Sequence, residues 1–185
     1  VILAAGASTR FGSPKQLAKV GDTTLLQHSI DRANTLTQDP VYVVLGAHHQ
    51  QIRPRVTAAE ILINNQWQQG IASSIVTALT HIEMQHNAIF ILLADQPSVR
   101  AESLQSMLNV FDGNHVVCAY YGGQRGVPAI FPSVCFSALR RLTGDQGAKK
   151  LLQEVSLPVL EWTLPEAALD VDTQEQLAAL NAPHN

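Results

Sequence analysis

The apolar residues of this chain arrive in short unbroken runs, and that pattern limits the folds open to it. Val1–Ala5, Val41–Leu45 and Ile89–Leu93 are continuous rather than alternating. A strand with one wet face alternates. A continuous run suits a parallel strand covered on both faces. Ile61–Ile63 reads as a further short strand. Between the runs, the spacing becomes helical. Leu25, Leu26, Ile30 and Ala33 share one face, and Ile71, Ile75, Val76, Leu79 and Ile82 form a clearer stripe. Strands alternating with helices predict a Rossmann-like, three-layer α/β/α fold around a mostly parallel sheet.

The second half is less regular. Val116–Tyr121 reads as a strand, Gly122–Gly126 as a turn and Val127–Phe131 as a returning strand, which makes the sheet mixed. Helical patterns follow at Cys135–Leu142 and Ala148–Val155. Leu157–Leu164 reads as an edge strand with Pro158 near its start. Thr173–Leu180 reads as a helix capped by Asp172 or Thr173. Repeats, low-complexity tracts and linkers are lacking, so residues 1–185 are expected to form one domain.

With 185 residues, the chain is long enough to enclose a substantial core. Its net charge of −3 disfavours a general nucleic-acid binder and favours a small ligand. Apolar runs fall short of the roughly 20 residues that span a bilayer. Cys118 and Cys135 lack Cys-x-x-Cys spacing and read as buried thiols in a reducing, cytoplasmic setting. The chain does not begin with methionine, so a few residues are expected to precede Val1.

Beyond Ala5 the chain leaves its first strand for Gly6-Ala7-Ser8-Thr9-Arg10-Phe11-Gly12-Ser13-Pro14-Lys15. Ligands of parallel α/β sheets sit beyond the carboxyl ends of strands. Gly6 lets a ligand approach without a Cβ in the way. Backbone N–H groups and the Ser8 and Thr9 hydroxyls can donate to phosphate oxygens. Arg10 can hold an anion bidentately, and Lys15 adds a compact charge. These features describe a polyphosphate site, although neither Gly-x-x-x-x-Gly-Lys-Ser/Thr nor Gly-x-Gly-x-x-Gly is present. The competing reading is a surface turn with incidental cations.

Leu3-Ala4-Ala5-Gly6 followed by Arg10, Gly12 and Lys15 resembles the L-A-A-G-x-x-x-R-x-G-x-x-K signature of the nucleotidyltransferase superfamily. Asp95-Gln96-Pro97, Gly126-Val127-Pro128-Ala129-Ile130-Phe131, Gly144-Asp145-Gln146-Gly147-Ala148 and Leu169-Asp170-Val171-Asp172-Thr173 follow in order. Together these segments look like the molybdenum cofactor cytidylyltransferase branch, and the resemblance covers nearly the whole chain. Val127 stands where that branch often has His, which bears on the acceptor rather than the fold.

The resemblance implies transfer of CMP from CTP to the terminal phosphate of molybdopterin, with release of pyrophosphate. It implies catalytic roles for Arg10, Lys15 and Asp95, and Mg²⁺ coordination by Asp95 and Asp172. Nucleotide contacts would come from Leu3, Ala4, Ala5, Gly6, Ser8, Arg10, Lys15, Asn65, Gly70, Ser73 and Ser74. Acceptor contacts would come from Gly126, Pro128 and Asp145. Partners would be the two small molecules and a recipient molybdoenzyme or its chaperone, without nucleic acid or membrane.

Plainer readings stand beside several of these. Asp95 and Asp172 also suit turn or helix-cap positions. Asn64–Gly70 with Ser73 and Ser74 is either a base-and-ribose pocket or a polar loop with caps. Trp67 suits a core edge, and Asp145 suits a turn. Adjacent His48 and His49 point apart, which disfavours one shared metal. The same loop would also serve another phosphorylated acceptor, such as a sugar or alcohol phosphate, or a non-catalytic module that delivers a nucleotide or cofactor.

Overall fold

A computed structural model describes residues 1–155 and 157–182, so Ser156 and residues 183–185 of the expected domain lie outside the described residues. In chain order the elements are β1 (Ile2–Ala4), β2 (Lys19–Val20), β3 (Thr23–Thr24), α1 (Leu25–Asn34), β4 (Tyr42–Leu45), α2 (His49–Ile52), β5 (Glu60–Ile63) and α3 (Ile71–Ile82). There follow β6 (Ala88–Leu93), α4 (Ala101–Val110), β7 (Val116–Tyr121), β8 (Gln124–Pro132), α5 (Phe136–Arg140), α6 (Gly147–Glu154), β9 (Val159–Thr163) and α7 (Gln174–Asn181).

Seven strands form one sheet in the order β5-β4-β1-β6-β8-β7-β9, while β2 and β3 make a separate ribbon. β8 runs against the other six. The expected mixed, mostly parallel sheet is the one observed. Ile2, Val43, Val44, Leu45 and Ile91 are fully buried, as continuous apolar strands between two layers must be. One face is covered by α1 and α4 through Leu26, Ile30, Leu104 and Met107. The other is covered by α3, α5 and α6 through Ile75, Leu79, Leu139 and Leu152. Cys118 and Cys135 are buried and free. Among the described residues, no helix is long and apolar enough to cross a membrane.

Helix α4 was not anticipated. It carries Leu104, Met107 and Leu108 at helical spacing, but Arg100 at its N-cap supplies no side-chain bond. Its start is therefore poorly marked in the sequence. The β2–β3 ribbon, whose strands are two residues each, also escapes a periodicity reading.

The topology places a ligand cleft. From β1 the chain moves outward to β4 and β5, then returns to lay β6 on the other side of β1. Neighbouring parallel strands whose connections leave in opposite directions open a crevice at their carboxyl ends. Here those ends are Ala4 and Leu93, with Leu3 opposite Leu93 in register.

Candidate active site

The loop after β1 is folded back by the buried Gln16. Its Nε2 donates to the Ala4 carbonyl at 2.8 Å and the Gly6 carbonyl at 3.0 Å. Ser8 takes a left-handed conformation, with φ of 56°, and its carbonyl accepts from the N–H groups of Phe11 and Gly12. The Ser8 hydroxyl accepts from the Lys15 N–H at 3.2 Å and lies 3.3 Å from Gln16 Oε1. That hydroxyl therefore shapes the loop. Phe11 is buried against Leu25 and Val171, which pins the loop's far side.

Asp95 follows β6 and Asp172 precedes α7. The cap of α7 is Thr173, in a complete capping box with Gln176. The cap role is thus filled, and the Asp172 carboxylate faces the loop. Lys15 Nζ lies 2.7 Å from Asp95 Oδ2 and 2.7 Å from Asp172 Oδ1. Arg10 Nη2 lies 2.7 Å from Asp172 Oδ2, with most of its side chain exposed. Asp172, 157 positions from Lys15 in sequence, thus meets Asp95 on one ammonium. Burial alone would lower the Lys15 pKa, but the two carboxylates outweigh it and raise it. The hydrogen bond from Lys15, with the nearby cations, holds Asp172 below the usual carboxylate range. Asp170, which the sequence reading left without a role, is pushed up to about 6 by withdrawal from water and by Asp95.

Arg10, Lys15, Asp95 and Asp172 line a cleft of about 440 Å³ with Leu3, Ala4, Ala5, Gly6, Ser8, Gly70, Ser74 and Asp145. Trp67, Gln68, Ile71 and Gln16 line it as well. The loop composition gave no local signal for Gln16. Its burial between two carbonyls becomes visible only in three dimensions.

Other candidates fall elsewhere. Asn65 is exposed and outside the cleft lining. Ser73 is spent on local structure: it accepts from Asn64 Nδ2 at 2.8 Å and donates to the Gly70 carbonyl at 2.8 Å. Gly126 and Pro128 are buried in β8 and are not among the residues lining the cleft, whereas Asp145 is. A Cβ on Gly126 would stand 2.5 Å from the Tyr121 hydroxyl, which gives that glycine a packing reason. His48 and His49 take separate backbone partners, the carbonyls of Ala7 and Gly46.

Gly70 matters sterically. Its φ is +93°, and a Cβ there would meet the Gly144 carbonyl oxygen at 2.5 Å and Asp145 Oδ1 at 2.6 Å. Gly70→Ala is expected to destabilise the fold by roughly 2–4 kcal/mol, combining backbone strain with overpacking. Urea unfolding checks this, and an unshifted midpoint contradicts it.

A hard divalent cation fits this donor set. Asp95 Oδ1 is buried without a hydrogen-bond partner, and Asp172 adds a second carboxylate. Among the described residues no group of three or more His, Cys, Asp or Glu side chains converges. Two carboxylates suffice for a divalent cation whose remaining ligands are phosphate oxygens and water.

Residues 1–159 match a family model described as the MobA-like NTP transferase domain. The bifunctional protein GlmU of Neisseria meningitidis is 30% identical over 182 residues, covering 92% of this chain and 38% of that protein. The chain thus spans well under half of the GlmU relatives it matches. The purine catabolism protein PucB of Bacillus subtilis is 28% identical, covering 95% of this chain and 92% of that protein. Rv0371c of Mycobacterium tuberculosis superposes with a TM-score of 0.85 at 31% identity, covering 97% of this chain and 94% of that one. A manganese complex of Rv0371c superposes at 0.81 and 29% identity, with 97% and 95% covered.

Proposed function

The chain belongs to the MobA-like NTP transferase family, and on that premise we propose that it transfers CMP from CTP to the terminal phosphate of molybdopterin carrying molybdenum. The observation that carries this reading is the meeting of Lys15, Asp95 and Asp172 on one side of the cleft opened by β1 and β6. A phosphate oxygen of the acceptor attacks the α-phosphorus of CTP. The bond from that phosphorus to the bridging oxygen breaks, and pyrophosphate leaves. The acceptor supplies the nucleophile, so the protein needs none. Its work is alignment and charge neutralisation.

Lys15 and Arg10 offset charge on the bridging and leaving oxygens, and the N–H groups after Gly6 orient the triphosphate. Asp95 and Asp172 would hold a divalent cation, which when bound supplies further neutralisation at the phosphates. The manganese complex of Rv0371c supports a divalent cation here.

The preference for cytidine rests on Ala5, which is buried at the cleft floor. Its methyl narrows the space beside β1, which favours a pyrimidine over a purine. One methyl in a pocket discriminates by about 10–200-fold. The protein, supplied with Mg²⁺, molybdenum cofactor and equal CTP and GTP, is expected to give mainly the cytidine adduct by mass spectrometry. Ala5→Gly should narrow the ratio. Equal use of both nucleotides by the unaltered protein refutes the preference. A panel of sugar and alcohol phosphates in place of the cofactor tests the acceptor separately.

A further inference from the structure

The segment between β6 and α4 owes its shape to a buried cation on α1, in the same helical layer as α4. Gln96–Val99 carries no regular secondary structure, and Pro97 has no N–H to donate. Backbone carbonyls turned inward in such a segment need donors from elsewhere. Arg32, on the last turn of α1, supplies them. Its Nη1 lies 3.2 Å from the Gln96 carbonyl and 3.3 Å from that of Pro97, and it also donates to the Val99 carbonyl. Its Nη2 donates to the Ser29 hydroxyl at 3.3 Å. That hydroxyl in turn reaches the Ala94 carbonyl at 3.4 Å. Two side chains three positions apart on one helix face therefore hold carbonyls on both sides of Asp95.

The carbonyl of Asp95 itself accepts from the Val171 N–H at 2.9 Å, one residue before Asp172. Gln96 Nε2 donates to the Ala167 carbonyl at 2.7 Å. A continuous path runs from the Arg32 guanidinium, through the segment it grips, to both carboxylates of the site.

The arrangement is costly. Arg32 is 7% exposed, and its Nε is buried without a partner. Among the described residues it has no carboxylate within ion-pair distance. A buried cation without a counter-ion weakens a fold, and an apolar side chain would fill the same space with less penalty. A planar fork of donors can do what an apolar side chain cannot, which is to fix several carbonyls at once.

We propose that Arg32 is a positioning residue that sets the separation and aim of the Asp95 and Asp172 carboxylates. It does not line the cleft. The inference rests on the reading of those two aspartates as ligands of a divalent cation.

The test uses Mn²⁺ alone, titrated into nucleotide-free protein and followed by electron paramagnetic resonance. Steady-state kinetics with CTP and molybdenum cofactor run alongside, and circular dichroism reports folding. Arg32→Lys keeps the charge and loses the fork. It is expected to weaken Mn²⁺ at least tenfold and to lower kcat by about 10², the cost of a small misalignment. The KM for CTP should stay within threefold, because the loop of residues 6–15 is untouched. In Arg32→Ala, added methylguanidinium should recover part of the lost kcat and Mn²⁺ affinity.

A folded Arg32→Lys with unchanged Mn²⁺ affinity and kcat overturns the inference. So does failure of both variants to fold, which would make Arg32 a residue of general stability. Asp95→Asn serves as the control. If the unaltered protein binds no Mn²⁺ that this control loses, the metal reading falls and the inference with it. If it does bind such Mn²⁺ and the Arg32 variants match it, the inference alone falls.

Discussion

Lys15→Met removes most turnover and at the same time tightens divalent metal binding by the nucleotide-free protein. The opposed signs follow from where the ammonium sits. Lys15 Nζ lies 2.7 Å from an oxygen of each aspartate, so it occupies the position from which one cation can touch both. Its side chain is 17% exposed and those of Asp95 and Asp172 are 22% and 27% exposed, so the pairs are partly shielded from water. Without it, Asp95 loses its cationic partner and Asp172 keeps only the exposed Arg10, so a divalent ion meets a weaker competitor. Loss of two such pairs is worth about 1.4 kcal/mol, or roughly tenfold in Mn²⁺ affinity.

In the reaction, the same ammonium is needed at the phosphates, where charge moves to the leaving pyrophosphate. Removing one preorganised donor of that kind costs about 10²–10³ in kcat. The measurements are pyrophosphate release and a Mn²⁺ titration. Retained turnover, or metal affinity that falls with the lysine, would contradict the arrangement.

How much of this was readable from residue order depends on whether the cause is local. The unbroken runs at Val1–Ala5 and Ile89–Leu93 predict buried parallel strands, and β1 and β6 lie side by side there. The glycines and cations after Ala5 announce a loop with a purpose because their composition is itself the chemistry. The choice between Asp172 and Thr173 as a cap was open, because both types cap helices equally well. Gln176 resolves it by accepting from the N–H groups of Asp172 and Thr173 and leaving the aspartate side chain free.

What stayed hidden depends on tertiary neighbours. Ser73 sits in a promising polar stretch, yet its hydroxyl is held by Asn64 and the Gln66 carbonyl. Gly126 and Asp145 are both glycine-motif residues, but Asp145 lines the cleft and Gly126 is buried in β8, a difference that sequence order does not reveal. Arg32 gave no signal at all, since a single arginine on an amphipathic helix ordinarily faces water.

Asp95→Asn and Asp172→Asn each lower kcat by about 10³, and the double variant falls little below the worse single. The amide keeps the shape of each side chain and removes its charge. Folding is preserved in Asp95→Asn, because the tie from the Asp95 carbonyl to the Val171 N–H is made by backbone. In Asp172→Asn the capping box is untouched, because Thr173 and Gln176 supply it. Two ligands of one ion do not contribute independently, since losing either already releases the ion. Groups that act as a unit are strongly non-additive for this reason. If the aspartates served separate purposes, one for metal and one for holding Lys15, the losses would multiply toward roughly 10⁶ in the double variant. Pyrophosphate release by the two singles and the double separates these cases. Multiplicative loss removes the shared-ion arrangement while leaving the phosphate loop intact.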